Sequence, residues 1–261
     1  MFVDSHVNLH GDAYLEDLEE VVSRARNAGV TTQLNICGKL SDIAAVIAVA
    51  DKFEDMWASV GTHPHDAKEN PNITPKDIMA YTDHPKVIGI GETGLDFHYN
   101  FSDRDVQIAN FQAHIEAARE TQLPLIIHSR NADDDMGEIL EREMAKGKFP
   151  ALLHCYTSGE GLARRAIDMD IFFSMSGIIT FKNANEVRNV ASFIPENRLL
   201  IETDCPYLAP VPFRGRRNEP AYVSHVAEKL AEIRGWSLEE TAKNTTDSFF
   251  NLFRKAARPS L

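Results

Sequence analysis

Three observations predict an α/β protein of the (β/α)8 TIM-barrel class. Short apolar runs alternate with amphipathic helical stretches about eight times from end to end, the number of strand–helix units in such a barrel. The runs are solidly apolar, as strands buried on both faces require. Five of them end in an ionisable residue: His6 in FVDSH, Glu92 in VIGIGE, His128 in LPLIIH, His154 in ALLH and Asp204 in LLIETD.

The first run, near residues 2–8, leads into a helical stretch at about 13–28. Gly29 is placed to stop that helix in the left-handed conformation glycine adopts readily. A second run near 31–37 precedes a helix at 41–53, with Ser41 and Asp42 as N-cap candidates. The third (56–62) is followed by a short helix at 75–81, and the fourth (87–92) by a long one at 103–121 behind Ser102-Asp103. Runs near 124–128, 151–155 and 171–176 pair with helices near 133–146, 159–168 and 183–192. The eighth run (199–204) opens a Pro-rich loop, Pro206 to Pro220, and a helix near 219–234. Ser237 starts a last helix reaching about Lys255, outside the repeat and expected on the barrel exterior. No low-complexity linker divides the chain, so residues 1–261 read as one domain.

With 261 residues and 43% hydrophobic content the chain can bury one large core. A formal net charge of -12 argues against a protein that coats nucleic acid by bulk charge. It does not exclude a nuclease, because a bound metal and a few local arginines can hold a phosphate inside an acidic protein. Cys37, Cys155 and Cys205 form no C-x-x-C pair, which argues for reduced thiols in a cytosolic protein rather than a disulfide framework or zinc ribbon. Cys155 and Cys205 directly follow ionisable strand ends, and strand alternation would turn them to the opposite face as packing residues. The N-terminus enters a strand without the charged and apolar regions of a signal peptide. No run approaches the ~20 apolar residues of a membrane span. The expectation is a cytoplasmic protein with no membrane association.

Parallel strands bring their carboxyl ends together, so three imidazoles and two carboxylates at those ends make a metal site. Any one of them alone is ordinarily a hydrogen-bonded core histidine or a salt-bridged acid. The repetition at strand after strand reverses that reading. Asp4, two residues before His6, shares its face and is a further ligand or support. Two divalent ions (Mg2+, Mn2+ or Zn2+) ~3.5–4 Å apart could be bridged by Glu92 and would lower the pKa of a water to about 7, with Asp204 placed to take its proton. Glu92 and Asp204 are therefore the catalytic candidates. Substrate contacts are expected from His63 and His65 of GTHPH, from Asp96, His98 and Tyr99 beyond Glu92, and from Arg130, Arg214, Arg216 and Arg217. Arginine forks suit a phosphodiester, and Tyr99, Phe97 or Tyr207 could stack on a base.

The segments DSHVNL, GTHPH, GETGLDFHYNFS, IIHSR, LLHCYTSG, IETDCPYLAP and RRNEPAYV cover almost the whole chain in this order. Together they resemble the TatD family of metal-dependent hydrolases, which belongs with the amidohydrolase-like TIM barrels. The resemblance implies a divalent-metal deoxyribonuclease with 3′-to-5′ exonuclease action on single-stranded DNA, sometimes RNA, and no obligate protein partner is evident. It assigns the metal ligands to His6, bridging Glu92, His128, His154 and Asp204. Many members read H-x-H on the first strand, whereas Asn8 stands at the second position here. Amide oxygen is a weak neutral ligand, favouring a loosely held or harder ion such as Mg2+. Two other readings compete: an ester or amide hydrolase on the same barrel, such as a D-aminoacyl-tRNA deacylase, and a silent barrel used for binding. The silent barrel would be expected to lack Glu92 or Asp204.

Overall fold

Each apolar run folds as a buried strand because its side chains face apolar layers on both sides. A computed structural model describes residues 1–259. Its strands are β1 (Phe2–Val7), β2 (Val30–Asn35), β3 (Met56–Val60), β4 (Val87–Asp96), β5 (Leu125–Arg130), β6 (Ala151–Leu153), β7 (Phe172–Met175) and β8 (Leu199–Ile201). They alternate with helices α1 (Leu18–Asn27), α2 (Ile43–Lys52), α3 (Pro75–Met79), α4 (Arg104–Thr121), α5 (Asp133–Lys146), α6 (Glu160–Asp168), α7 (Asn185–Phe193) and α8 (Val223–Arg234), and α9 (Leu238–Leu252) follows. The strands pair in chain order, β1 to β8, and every pairing is parallel. A parallel bridge between Val7 and Cys205 closes the ring. There the Asn8 amide donates to the Cys205 carbonyl (3.0 Å) and the Asp204 amide to the His6 carbonyl (3.0 Å). The seam of the TIM barrel thus runs through two of the expected metal ligands.

Two elements differ from expectation. The first α-helix begins at Leu18, after a 3-10 turn at Asp12–Tyr14. Tyr14 is fully buried and its hydroxyl donates to the Asn218 carbonyl at 2.5 Å, so this segment is tied to the Pro-rich loop instead of joining the helix. The last helix does not lie on the barrel's outer layer. Ser237 caps it, its hydroxyl accepting the Glu240 amide at 3.1 Å, while the Glu240 carboxylate accepts the Ser237 amide at 2.7 Å. Phe249, Leu252 and Phe253 then pack with Val3, Leu34, Ile36, Ile88, Ile126, Leu152 and Leu200. Those strand residues fill the barrel, and α9 forms its floor at the end opposite the His and acid residues. Full burial of each phenylalanine contributes on the order of 1.5–3 kcal/mol.

Among the described residues no helix is long and apolar enough to cross a membrane. All three cysteines are free.

On α4, His114 is fully buried: its Nε2 accepts the Thr62 amide (3.0 Å) and its Nδ1 donates to the Asn110 carbonyl (2.8 Å). Burial lowers its pKa from 6.5 to about 4. The unfolded chain therefore binds more protons than the native protein between those two values, and stability falls as pH drops through that window. The expected loss between pH 7 and pH 4 is about 3 kcal/mol. Denaturant midpoints of wild type and His114→Gln at both pH values check this, since the glutamine variant should lose that much less on acidification.

Candidate metal centre

The glycines before Glu92 let two strands approach closely enough to aim it inward. A side chain at Gly61 would meet the Gly91 Cα at 2.5 Å, and one at Gly91, whose φ is +130, would meet the Ile126 carbonyl at 2.5 Å. Glu92 is buried and surrounded by imidazoles. Its Oε1 lies 2.7 Å from His154 Nε2, 3.1 Å from His128 Nδ1 and 3.4 Å from His63 Nε2, and its Oε2 lies 3.3 Å from His6 Nε2. Burial alone would raise its pKa, but His154, His63 and His6 hold it well below the usual carboxylate range. Asp204 Oδ1 is 3.6 Å from the same His6 nitrogen. Burial raises the Asp204 carboxyl to about 6, against the opposing pull of His6 and His154.

The donor set fits divalent metal. Donor atoms of His6, Glu92 and His154 lie within 4.8 Å of one another, and so do those of His63, Glu92 and His128. Both ring nitrogens of His6 are buried with no hydrogen-bond partner, a cost of roughly 1–3 kcal/mol each unless a ligand satisfies them. The outer nitrogens of two other rings meet carboxylates: His128 Nε2 meets Asp96 Oδ2 at 3.2 Å and His154 Nδ1 meets Glu202 Oε1 at 3.2 Å. With the proton held outside, each inner nitrogen turns a lone pair toward Glu92. Two such lone pairs around one carboxylate repel unless a cation lies among them. Without metal, burial pulls the His154 pKa down, and Glu92 and Glu202 more than reverse this, holding it well above 6.5.

Sequence reading missed Glu202, fully buried with its Oε2 accepting the Ser174 hydroxyl at 2.5 Å. A signal was present, because in IETD it stands two residues before Asp204, the spacing at which side chains share a face on an extended chain, although β8 itself ends at Ile201 and the Asp204 backbone is left-handed (φ 55). A carboxylate that orients a metal-binding imidazole typically supports affinity by 10–100-fold. Glu202→Gln is therefore expected to weaken divalent-metal binding by about that factor, measured by competition with a chelating dye; unchanged affinity would reduce Glu202 to a packing role.

Other expected residues land elsewhere. Asp96, expected at the substrate, is completely buried behind the imidazoles: Oδ2 meets His65 Nε2 (2.8 Å) and His128 Nε2, while Oδ1 accepts the amides of His98 and Tyr99 (both 3.0 Å). Its oxygens are taken, so it orients two rings. His63 Nδ1 accepts the His65 amide (3.1 Å), which leaves the proton on Nε2 facing Glu92. In that tautomer His63 offers a hydrogen bond and no lone pair, so of the group His63, Glu92 and His128 only Glu92 and His128 are free to ligate. Asp4 is likewise consumed, accepting from the Thr203 hydroxyl (2.6 Å) and amide (2.9 Å) across the barrel seam. Asn8 stands beside Asp204, its amide donating to Oδ1 (3.4 Å) and to the Cys205 carbonyl (3.1 Å). Asn8→His is expected to tighten metal binding by adding an imidazole next to Asp204; unchanged affinity by calorimetry would exclude this position from the ligand sphere.

Arg217 does not reach toward a phosphate. Its guanidinium forks onto Asp17 (2.8 and 2.6 Å) and the Ala13 carbonyl (2.6 Å). Arg214 lies over the Phe181 ring at 4.3 Å, and Arg216 is exposed. Arg130, at the end of β5, lies over the Tyr99 ring at 4.7 Å. Of the aromatic candidates Phe97 is buried at 7% exposure, whereas Tyr99 and Tyr207 are open to solvent. Cys155 does not follow strand alternation, because β6 ends at Leu153 and the Cys155 backbone is left-handed (φ 44). Its thiol donates to the Ser176 hydroxyl at 3.1 Å. Burial, reinforced by Glu202 and Asp204, pushes its pKa well up.

A closed parallel barrel with a carboxylate set among imidazoles at its strand ends defines the class of metal-dependent hydrolases. The comparisons with known proteins agree. A sequence model of the TatD-related DNases matches residues 3–254, and the chain belongs to that family. YabD of Bacillus subtilis, an uncharacterised metal-dependent hydrolase, is 40% identical over 97% of this chain and 99% of its own length. The 3′-5′ ssDNA/RNA exonuclease TatD of Salmonella typhimurium is 33% identical over 96% of this chain and 98% of its own. The crystal structure of YjjV, a TatD homologue from Escherichia coli K12, superposes with a TM-score of 0.89 at 26% identity, covering 97% of this chain and 98% of that one.

Proposed function

We propose that this metal-dependent hydrolase is a nuclease that removes nucleotides from the 3′ end of single-stranded DNA or RNA. The observation that carries the reading is one buried carboxylate, Glu92, reached by four imidazoles. The family and the exonuclease named above support the choice of substrate. His6, Glu92, His128, His154 and Asp204 would hold the metal, two ions sharing Glu92. A bound divalent cation supplies polarisation of the scissile bond and a more acidic attacking water. The protein's own part is to hold the outer N–H groups of His128 and His154 donating to the Asp96 and Glu202 carboxylates, so that the inner nitrogens keep their lone pairs. Asp204, ionised above its pKa of about 6, accepts the proton of the attacking water. His63, with its proton on Nε2, and Arg130 offer donors to the phosphodiester oxygens.

Incubation of a 5′-labelled single strand with Mg2+ or Mn2+ tests this. A ladder shortening from the 3′ end, abolished by EDTA, is the expected result. No cleavage with any divalent metal would overturn it in favour of ester or amide hydrolysis, with D-aminoacyl-tRNA the first substrate to try.

A further inference from the structure

The loop leaving β4 presents two exposed aromatic rings beside the metal centre, and we propose that with Arg130 they form a platform on which one unpaired nucleobase of the bound strand stacks, Phe101 offering the open ring. The proposal rests on the nucleic-acid reading above and adds to it the subsite that holds the strand.

Tyr99 and Phe101 are 47% and 54% exposed. Their rings lie nearly parallel, 6° apart with centroids 5.2 Å from each other. The Arg130 guanidinium carbon sits 4.7 Å from the Tyr99 centroid. Tyr99 thus already packs against Phe101, Arg130 and, edge-on, His98 (4.7 Å), and Phe101 is the more open end of a guanidinium–phenol–phenyl group. Two parallel rings with a cation alongside match a single strand, one base of which takes the ring face while a neighbouring phosphate of the strand takes the guanidinium.

The position connects this group to the chemistry. His65 makes edge contacts with Phe101 (centroids 4.8 Å) and Tyr99 (5.5 Å), and its other neighbours are His63 (4.4 Å) and His128 (6.2 Å). One imidazole therefore separates the platform from the rings around Glu92. The loop that carries the platform is anchored on both sides. The Ser102 hydroxyl donates to the His65 carbonyl (2.9 Å) and accepts the Lys68 amide (3.0 Å), and Asp96 accepts the Tyr99 amide.

Charge gives the subsite its purpose. At a net charge of -12 the protein's long-range field does not gather a polyanion. Retention of the strand must come from short-range contacts, of which stacking is one that salt does not screen. A base inside a duplex is already stacked on both faces, so the platform rewards only an unpaired one.

Anisotropy measures the test, with a labelled oligothymidylate whose 3′-terminal linkages are phosphorothioates, bound to the Mn2+-loaded protein. A matching strand lacks its terminal bases. Wild type should bind the complete strand about tenfold or more tighter than the abasic one. Phe101→Ala, and Phe101→Leu, which keeps apolar bulk without a ring face, should lose most of that preference, so that the loss from removing the ring and the loss from removing the bases do not add. Additive losses, or equal binding of both strands by wild type, would overturn the platform while leaving cleavage of the strand, and with it the nuclease reading, intact. A wild type that neither binds nor cleaves any oligonucleotide removes the nuclease reading and the platform together.

Discussion

Replacing Glu92 by glutamine is expected to lower the proposed nuclease activity by at least about 10³-fold and to reduce the amount of metal bound. The variant preserves volume and removes one negative charge from a fully enclosed position. In the native protein this carboxylate faces His154, His128, His63 and His6 at 2.7, 3.1, 3.4 and 3.3 Å. An amide there cannot serve two cations as a shared anion. It also directs an NH2 group toward ring nitrogens that ought to present lone pairs. Metal-to-protein ratio by elemental analysis and initial cleavage rate on single-stranded DNA are the two readouts. A variant that retains both the full ratio and the rate would remove Glu92 from the bridging position.

Asp204→Asn should have a different signature: metal largely retained, kcat lower by about 10²–10⁴-fold, the usual worth of a general base, and a changed pH profile. Burial raises the Asp204 carboxyl to about 6, offset in part by His6 and His154. A base acts only when ionised, so wild-type activity should fall as pH drops through that value, or through a lower one once a cation adds its own attraction. The asparagine variant has no proton to gain there. Its residual activity should lack that acid limb. A profile in Asp204→Asn that keeps the wild-type limb would assign the ionisation, and the base, to another residue.

Most of the donor set was legible because its information is local. Each of His6, Glu92, His128, His154 and Asp204 terminates an apolar run, and a charged or polar group at the end of a buried strand is costly unless something common to all of them compensates. Parallel strands then bring the ends together without further detail. The floor helix was misplaced for a related reason. The apolar positions Phe249, Leu252 and Phe253 show that one side of α9 is buried, but periodicity says nothing of which layer it meets.

Roles beyond the strand ends were decided by pairings between distant positions. Asp96 and Arg217 read alike as polar loop residues near the motifs. Asp96 is enclosed under His65 and His128, and Arg217 is captured by Asp17, 200 positions away. Glu202 was overlooked beside Asp204, although it holds the outer nitrogen of His154 across 48 residues.

The amino-acid sequence by itself determined the barrel, the order of its strands and which residues reach its rim, since apolar period and strand-end chemistry are properties of consecutive residues. Only the tertiary structure decided which ring nitrogen keeps the proton, which carboxylate orients and which stays open, and which arginine remains near the site. Hydrogen-bond geometry is set by ångström distances between side chains far apart in the chain, and local pattern does not encode those distances.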